Sequence, residues 1–373
     1  MANTENFTSE QLLHMASHFA IPTPIQSAER YGDGHINDTF LLKGPTPYIL
    51  QRLNTSIFAN PEGVMANIVS VSAEIRKKIL AAHGNPDRES MTVIFAHDGR
   101  SYYRDLQGGF WRCYLYIGHT LSLKLPRNEA DFKAAAYAFG HFQYLLQDYP
   151  ASSLFVAIPH FHDTPSRYQD FLAAVAADKA HRVKEAGPEI AFAEARAKQA
   201  DGIVSRLAKG IIPTRVTHND TKLNNVLLDE KTGQGLCVID LDTIMPGSAL
   251  YDFGDAIRFG ANTAAEDEKD LSKVSLSLPL FKTYTEGYLE GCKGSLTPEE
   301  IRLFPLGAYL MTYECGLRFL ADYLNGDIYF HTAYPEHNLV RARDQFALVA
   351  DMEKKAGQLQ QMIEPFAQKR EKK

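Results

Sequence analysis

The pattern of hydrophobic and polar positions divides the chain into a strand-rich first third and a helix-rich remainder. In the first third, short runs of apolar and β-branched residues predict strands, and glycines followed by such a run predict a hairpin with a tight turn. The predicted strands cover residues 48–53, 91–96 and 110–117, and the hairpin covers Gly32–Leu42. Apolar positions three and four apart predict helices at residues 8–19 and 61–81.

The remainder is dominated by helical periodicity. Phe132, Ala135, Phe139, Phe142 and Leu146 step by three and four residues, which predicts one buried helical face. Further helices are predicted at residues 165–184, 188–208, 279–290, 298–325 and 338–363, with a strand–loop–strand block at residues 214–241.

This order of elements predicts an α+β fold with two lobes. We expect residues 1–118 to form an N-terminal lobe with a mixed β-sheet and a helix, and residues 119–373 to form a larger, mainly helical C-terminal lobe. The chain is long enough for two lobes, because single hydrophobic cores stop growing at about 250–300 residues.

Composition and charge exclude several classes of protein. With 39 Lys or Arg and 45 Asp or Glu the formal charge is −6, whereas a nucleic-acid-binding protein shows a basic stripe. No run approaches the about 18 consecutive apolar residues that span a membrane, and the N-terminus lacks the features of a signal peptide. We therefore expect a cytoplasmic monomer or weak dimer. Its four cysteines, which lack Cys-x-x-Cys spacing, are expected to be free.

The densest chemical signal lies in residues 216–242. His218, Asp220 and Asn225 follow a short predicted strand, and Asp240 and Asp242 end a later one. Phosphoryl transfer needs such a set, because one carboxylate orients and deprotonates the attacking hydroxyl while further oxygens hold Mg²⁺. The spacing His-x-Asp-x-x-x-x-Asn, followed by a hydrophobic strand ending in Asp, is typical of kinase catalytic loops.

Other interpretations of these residues explain less of the pattern. A polar hairpin would need Asp and Asn only for its turns, and a zinc hydrolase would need additional His or Cys ligands. The sequence lacks the Gly-x-x-x-x-Gly-Lys-Ser/Thr motif, which excludes a P-loop as the phosphate-binding element.

At these positions the chain resembles the aminoglycoside phosphotransferase/choline kinase superfamily of protein-kinase-like enzymes and, within it, the N-acetylhexosamine 1-kinases. The resemblance rests on residues 31–37, 48–51, 217–225, 239–247, 252–255 and 314–323. It implies a protein-kinase-like fold, ATP as co-substrate, Mg²⁺ as cofactor, and phosphorylation of the anomeric hydroxyl of N-acetylglucosamine or N-acetylgalactosamine in carbohydrate metabolism.

The resemblance also implies roles for individual residues. Asp220 matches the catalytic base, Asn225 and Asp240 match the Mg²⁺ ligands, and Asp242 is a further ligand candidate. The nucleotide candidates are Gly32, Asp33, Gly34, Gln51, Tyr116 and Gly118, the last two in a hinge whose backbone would pair with adenine. Gln51 stands where related kinases carry a phosphate-binding lysine. Either Arg52 or another cation replaces that lysine, or Mg²⁺ alone neutralises the phosphates, and we hypothesise the last.

The acceptor site is predicted from polar and aromatic residues that suit a neutral sugar. The candidates are His35, Arg318, Asp322 and Tyr329, together with the base Asp220. For Arg318 the competing interpretation is an ion pair with Glu314, one helical turn away. Homoserine, choline and aminoglycosides are alternative acceptors, and a nucleotide-binding protein without turnover is the alternative of another class.

A second cluster, His160, His162 and Asp163, has the residue types of a metal site. Thr164 and Pro165 follow it, and this order is typical of the start of a helix. We therefore interpret the cluster as a loop that caps the next helix. Asp252 and Asp255 are interpreted as braces for the loop of Asp240.

Overall fold

The structure, a computed structural model, describes residues 7–32 and 36–372. Its six-stranded N-terminal sheet consists of β1 Ser27–Arg30, β2 Asp38–Lys43, β3 Tyr48–Leu53, β4 Val93–Ile94, β5 Tyr103–Arg104 and β6 Phe110–Leu115. The spatial order is β1-β2-β3-β6-β4, with β5 also pairing with β6. Three helices accompany the sheet, α1 Ser9–Ala16, α2 Pro61–Ala81 and α3 Pro86–Glu89.

The sheet is antiparallel in every pairing that joins these six strands, and the predicted mixed sheet is corrected accordingly. Strands β3 and β4, on either side of α2 in the chain, run in the same direction. They do not pair with each other, because β6 lies between them and is antiparallel to both.

The two faces of this sheet have different compositions, because side chains alternate along a strand. Phe40, Leu50 and Cys113 lie in register on one face and belong to an apolar core that also contains Trp111 and residues of α1. Thr39, Gln51 and Arg112 lie in register one residue away and carry polar groups.

The remaining elements are mainly helical and confirm the α+β class. The helices are α4 Glu129–Leu145, α5 Thr164–Ala177, α6 Gly187–Glu194, α7 Val204–Ala208, α8 Ala249–Gly260, α9 Leu278–Cys292, α10 Pro298–Arg302, α11 Phe304–Asn325 and α12 His337–Glu371. The short strands are β7 Thr120–Ser122, β8 Arg215–Thr217, β9 Val226–Asp229, β10 Gly235–Val238 and β11 Met245–Gly247. Strands β7, β9 and β10 form one sheet, and β8 pairs with β11.

Compact packing divides the chain into two units. One comprises Met1–Leu121, Ser152–Ile158 and Leu227–Met245, and the other comprises Ser122–Ala151, Pro159–Val226 and Pro246–Lys373. The lobe boundary after residue 118 stays a prediction. In the second unit, α5, α6, α11 and α12 share one apolar core.

Helices α4 and α9 of the second unit approach closely because glycines face the neighbouring backbone. A Cβ atom at Gly140 would overlap the carbonyl group of Tyr288, and one at Gly291 would overlap that of Tyr137. Any larger residue at these positions would push the two helices apart.

The four cysteines are free, as the sequence predicts. Cys113, Cys237 and Cys292 are buried, and Cys315 is half-buried. Burial raises the pKa of all four thiols, to about 12 for Cys237 and Cys315. Within the described ranges, none of the helices has the length and apolar composition needed to cross a bilayer.

Candidate active site

The loop that follows β8 is held in place by a carboxylate of α8. The backbone N–H groups of His218 and Asn219 donate to the two oxygens of Asp252, at 3.0 and 2.8 Å. Asp252 also accepts from the side chain of Gln143, at 3.0 Å. Burial raises the pKa of Asp252, while these donors and His218 act in the opposite direction.

The next two N–H groups of the loop are bound as well. The N–H of Asp220 donates to Nδ1 of His218 at 3.3 Å, and the N–H of Thr221 donates to Asp255 one turn further along α8 at 3.1 Å. Asp252 and Asp255 reach the same loop because residues three apart share one helix face. They therefore brace the loop of Asp220, whereas the sequence interpretation assigned them to the loop of Asp240.

Asp220 carries a carboxylate that remains accessible within this braced loop. Its side chain is 28% exposed, and its Oδ1 lies 2.9 Å from the ammonium of Lys222. Nδ2 of Asn225 donates to its Oδ2 at 3.0 Å and to its backbone carbonyl at 2.8 Å. Burial would raise the pKa of Asp220, but Lys222, His218 and Asn225 together hold this pKa below its usual value.

Asn225 thus uses its amide hydrogens within the loop. Among the described residues, no group donates a hydrogen bond to its Oδ1. Amide and carboxylate oxygens are the ligands that Mg²⁺ prefers, so the donor chemistry of Asn225 fits this ion.

The two aspartates at the end of the later strand differ in their environments. Asp240 adopts a left-handed backbone conformation, with φ 61° and ψ 59°, at the start of a 3-10 turn over Leu241–Thr243. Asp242 lies in this turn and is buried. Its two oxygens accept from the guanidinium of Arg112, and Oδ2 also accepts from Asn37 at 2.7 Å.

Arg112 belongs to the polar row of the N-terminal sheet. Nε of Arg112 donates to Gln51 at 3.0 Å, and Nε2 of Gln51 donates to Thr39 at 2.9 Å. The Arg112–Asp242 pair is buried, with side-chain exposures of 2% and 6%. Sequence reasoning named Gln51 and missed Arg112, although a charged residue inside the apolar run of β6 was a visible signal.

The nucleotide candidates lie in several places. Asp33 and Gly34 are outside the described residues, and Gly32 precedes them with φ 73°. The hydroxyl of Tyr116 lies 3.4 Å from that of Tyr31, and the carbonyl of Gly118 accepts from Arg88 at 3.1 Å. The described residues provide no hydrogen bond to the carbonyl of Tyr116 or the N–H of Gly118.

The acceptor candidates Arg318 and Tyr329 lie together, and His35 is outside the described residues. The guanidinium of Arg318 lies 5.5 to 5.8 Å from the ring centres of Phe161, Tyr329 and Phe330. No described carboxylate forms an ion pair with Arg318.

Asp322 is occupied by backbone contacts. Its oxygens accept from the N–H groups of Ile328, Tyr329 and Phe330 and from the side chain of Asn338, at 2.9 to 3.0 Å. These bonds fix the turn that presents Tyr329.

The cluster near residue 160 forms a helix cap, as the sequence predicts for Asp163. The carboxylate of Asp163 accepts from the N–H of Ser166 at 3.0 Å and from His160 at 3.0 Å. His162 instead contacts Glu314 on α11 at 2.8 Å. Glu314 is thus engaged by His162, and the Glu314–Arg318 ion pair is not formed.

The chain is similar to known proteins in sequence and in fold. A sequence model described as "Phosphotransferase enzyme family" matches residues 27–274. A microcompartment-associated aminopropanol kinase superposes with a TM-score of 0.59 at 16% identity, covering 95% of this chain and 99% of that one. A spectinomycin phosphotransferase in complex with ADP and spectinomycin gives 0.55 at 13% identity, covering 95% and 100%. A choline/ethanolamine kinase family protein from Mesorhizobium loti gives 0.53 at 18% identity, covering 94% and 98%.

The three structural matches show the protein-kinase-like fold that these enzymes share. The matched sequence range extends from β1 to residue 274 and includes the braced loop, Asn225 and Asp240. It covers about two thirds of the 373 residues. The chain therefore belongs to the phosphotransferase enzyme family.

Proposed function

We propose that the protein transfers the γ-phosphoryl group of ATP, in the presence of Mg²⁺, to the anomeric hydroxyl of an N-acetylhexosamine, N-acetylglucosamine or N-acetylgalactosamine. The observation that carries the proposal is the state of Asp220, an accessible carboxylate kept ionised in a loop whose backbone is fixed. Such a group can accept the proton of an attacking hydroxyl without first reorganising.

Asn225 would supply an oxygen ligand to Mg²⁺, which neutralises phosphate charge when bound, and the family resemblance implies the same role for Asp240. We exclude Asp242 from this set, because Arg112 and Asn37 already occupy its oxygens. Lys222 adds a positive charge beside the base, where charge accumulates during transfer.

Two backbone groups after β6 suit adenine. The carbonyl of Tyr116 can accept from the exocyclic amine of the base, and the N–H of Gly118 can donate to a ring nitrogen. The ADP-bound spectinomycin phosphotransferase supports a nucleotide as the other substrate.

The acceptor assignment rests on Arg318 and Tyr329. Because Arg318 has no carboxylate partner among residues 7–32 and 36–372, its guanidinium would repel an ammonium group, which disfavours choline and aminoglycosides. It can donate to hydroxyl and acetamido oxygens of a neutral sugar, while the neighbouring rings provide an apolar wall. Asp322 then acts by holding the turn of Tyr329.

The test is ADP release from Mg-ATP with six acceptors: N-acetylglucosamine, N-acetylgalactosamine, glucose, homoserine, choline and kanamycin. We expect turnover on the N-acetylhexosamines, with a 1-phosphate product by ³¹P NMR. Asp220→Asn should bind ATP yet lose at least about 100-fold in kcat. Turnover on another acceptor would refute the sugar assignment, and near-normal turnover of the variant would refute the base. Silence of the wild type on all six would favour the non-catalytic alternative.

A further inference from the structure

We propose that His162 and Glu314 form a positioning pair that clamps the peptide bond immediately before Asp220. Both residues lie outside the His218–Asn225 motif in sequence. The inference rests on the proposed role of Asp220 as the base.

The pair reaches the loop through a backbone carbonyl. Nε2 of His162 lies 3.3 Å from the carbonyl oxygen of Asn219, and Nδ1 lies 2.8 Å from Oε1 of Glu314. A carbonyl oxygen can only accept, so Nε2 carries a hydrogen and donates. A second hydrogen bond joins Nδ1 of His162 and the carboxyl group of Glu314.

The far end of the pair is fixed as well. The hydroxyl of Thr164, at the start of α5, donates to Oε2 of Glu314 at 2.6 Å. Glu314 is 2% exposed and His162 is 9% exposed in their side chains, so water competes little for these bonds. Both ring nitrogens of His162 and both oxygens of Glu314 therefore have partners within the fold.

The peptide bond between Asn219 and Asp220 is consequently held at both of its polar atoms. Its oxygen accepts from His162, and its N–H donates to Nδ1 of His218. The orientation of this peptide plane sets the direction in which the Asp220 side chain leaves the backbone.

The clamp matters because Asn219 has an uncommon backbone conformation, with φ 66°. A non-glycine residue in the left-handed region persists only where surrounding contacts hold it. Without the bond from His162, rotation of the following peptide plane would move the Asp220 carboxylate. A misplacement of about 1 Å can cost about 100-fold in rate.

Two substitutions at one position separate the clamp from a general packing role. His162→Gln places an amide N–H₂ near the former Nε2 and so retains a donor for Asn219. His162→Asn places its amide near the former Nδ1 and so retains the contact with Glu314 while losing the bond to Asn219.

We expect His162→Asn to lower kcat by about 10- to 100-fold with the KM for ATP unchanged within twofold. His162→Gln should stay within about fivefold of the wild type in kcat. His162 could instead serve only to connect its own loop, before α5, with Glu314 on α11. In that case kcat of His162→Asn would equal that of His162→Gln, and the proposal would be wrong. His160→Asn is the matched control, because His160 is 65% exposed and contacts Asp163 rather than the loop.

Hydrogen exchange provides a readout that does not depend on turnover. In the full-length protein, the peptide covering residues 217–222 should exchange faster in His162→Asn than in His162→Gln or the wild type. If both substitutions at residue 162 prevent folding, Glu314→Gln, which preserves volume, is the second test. It should make this peptide exchange faster than it does in the wild type. Equal exchange in all folded variants would overturn the clamp. A wild type that phosphorylates none of the six acceptors would instead refute the proposed function, leaving exchange to decide on the clamp.

Discussion

Replacing Arg112 by Met removes one half of a buried ion pair while preserving most of the side-chain volume. Asp242 would keep Asn37 as its donor and lose both bonds from the guanidinium. Removing one partner of a buried pair costs about 3–5 kcal/mol, because the remaining charge is left uncompensated. We therefore expect Arg112→Met to lower the free energy of unfolding by about 3–5 kcal/mol.

A double-mutant cycle tests whether this loss arises from the pair. Asp242→Asn should cost a similar amount, since it leaves Arg112 without a carboxylate. The double variant should cost no more than either single variant, because neither charge is then left alone. The resulting coupling energy is at least about 3 kcal/mol.

The unfolding of the N-terminal sheet can be followed specifically by tryptophan fluorescence. Trp111 is the single tryptophan of the chain, it is fully buried, and it precedes Arg112 on β6. Its Nε1 donates to Asp105 at 2.7 Å. Tryptophan fluorescence during urea unfolding therefore reports on the strand that carries the substitution.

The exposed pair Arg100–Asp98 is the control, with side-chain exposures of 49% and 47%. Arg100→Met should leave the free energy of unfolding nearly unchanged, because an exposed ion pair is screened by solvent. If the two single substitutions at Arg112 and Asp242 add within about 0.5 kcal/mol, the residues are energetically independent. Such additivity would contradict the view that Arg112 holds the turn of Asp242.

Three further outcomes are expected. Lys222→Met should lower kcat by about 10- to 100-fold in steady-state assays, because Asp220, the proposed base, loses the ammonium group paired with it. In the wild type the pKa of Asp220 is lowered, so kcat should not fall as the pH is lowered to about 5. In Lys222→Met, kcat should begin to fall at a higher pH, because the pKa of Asp220 is no longer lowered by the ammonium group. An unchanged profile in the variant would contradict the cause given for the shift. Asp344→Asn should stabilise the protein at pH 8.5 by about 2–3 kcal/mol more than at pH 5, measured by urea unfolding. The reason is that burial raises the pKa of Asp344 to about 7, so the wild type loses stability as pH rises towards that value while the variant cannot ionise. Parallel stability curves for the two proteins would refute this reasoning.

Local patterns predicted some elements to the residue. Strand β3 and helix α2 have the predicted bounds, because β3 begins with the short apolar run Tyr48–Leu50 and Asn60 with Pro61 provides a strong helix start. The helix predicted at residues 298–325 is two helices, since Pro305 lacks an N–H and cannot continue the first. The strand predicted at residues 91–96 is reduced to β4, whose extent depends on pairing with β6.

In the candidate site, too, some contacts could be predicted from the sequence and others could not. Asp220 and Asn225 are close in sequence, so spacing alone indicated that their side chains could meet. Arg112 and Asp242 are separated by 130 positions, and Glu314 and His162 by 152. Contacts between such distant residues depend on tertiary packing, which the pattern of a single sequence does not contain.

The burial of the four cysteines has a practical consequence for labelling. At a pKa of about 12, the thiolate of Cys315 or Cys237 would make up on the order of 10⁻⁵ of the thiol near neutral pH. A cysteine introduced at an open position, such as that of the 97% exposed Leu106, would have an ordinary pKa near about 8.5. Maleimide dyes should therefore attach to the new site much faster than to the native thiols, which combine burial with a small thiolate fraction. The unmodified chain can thus serve directly as the background for single-site fluorescent labelling.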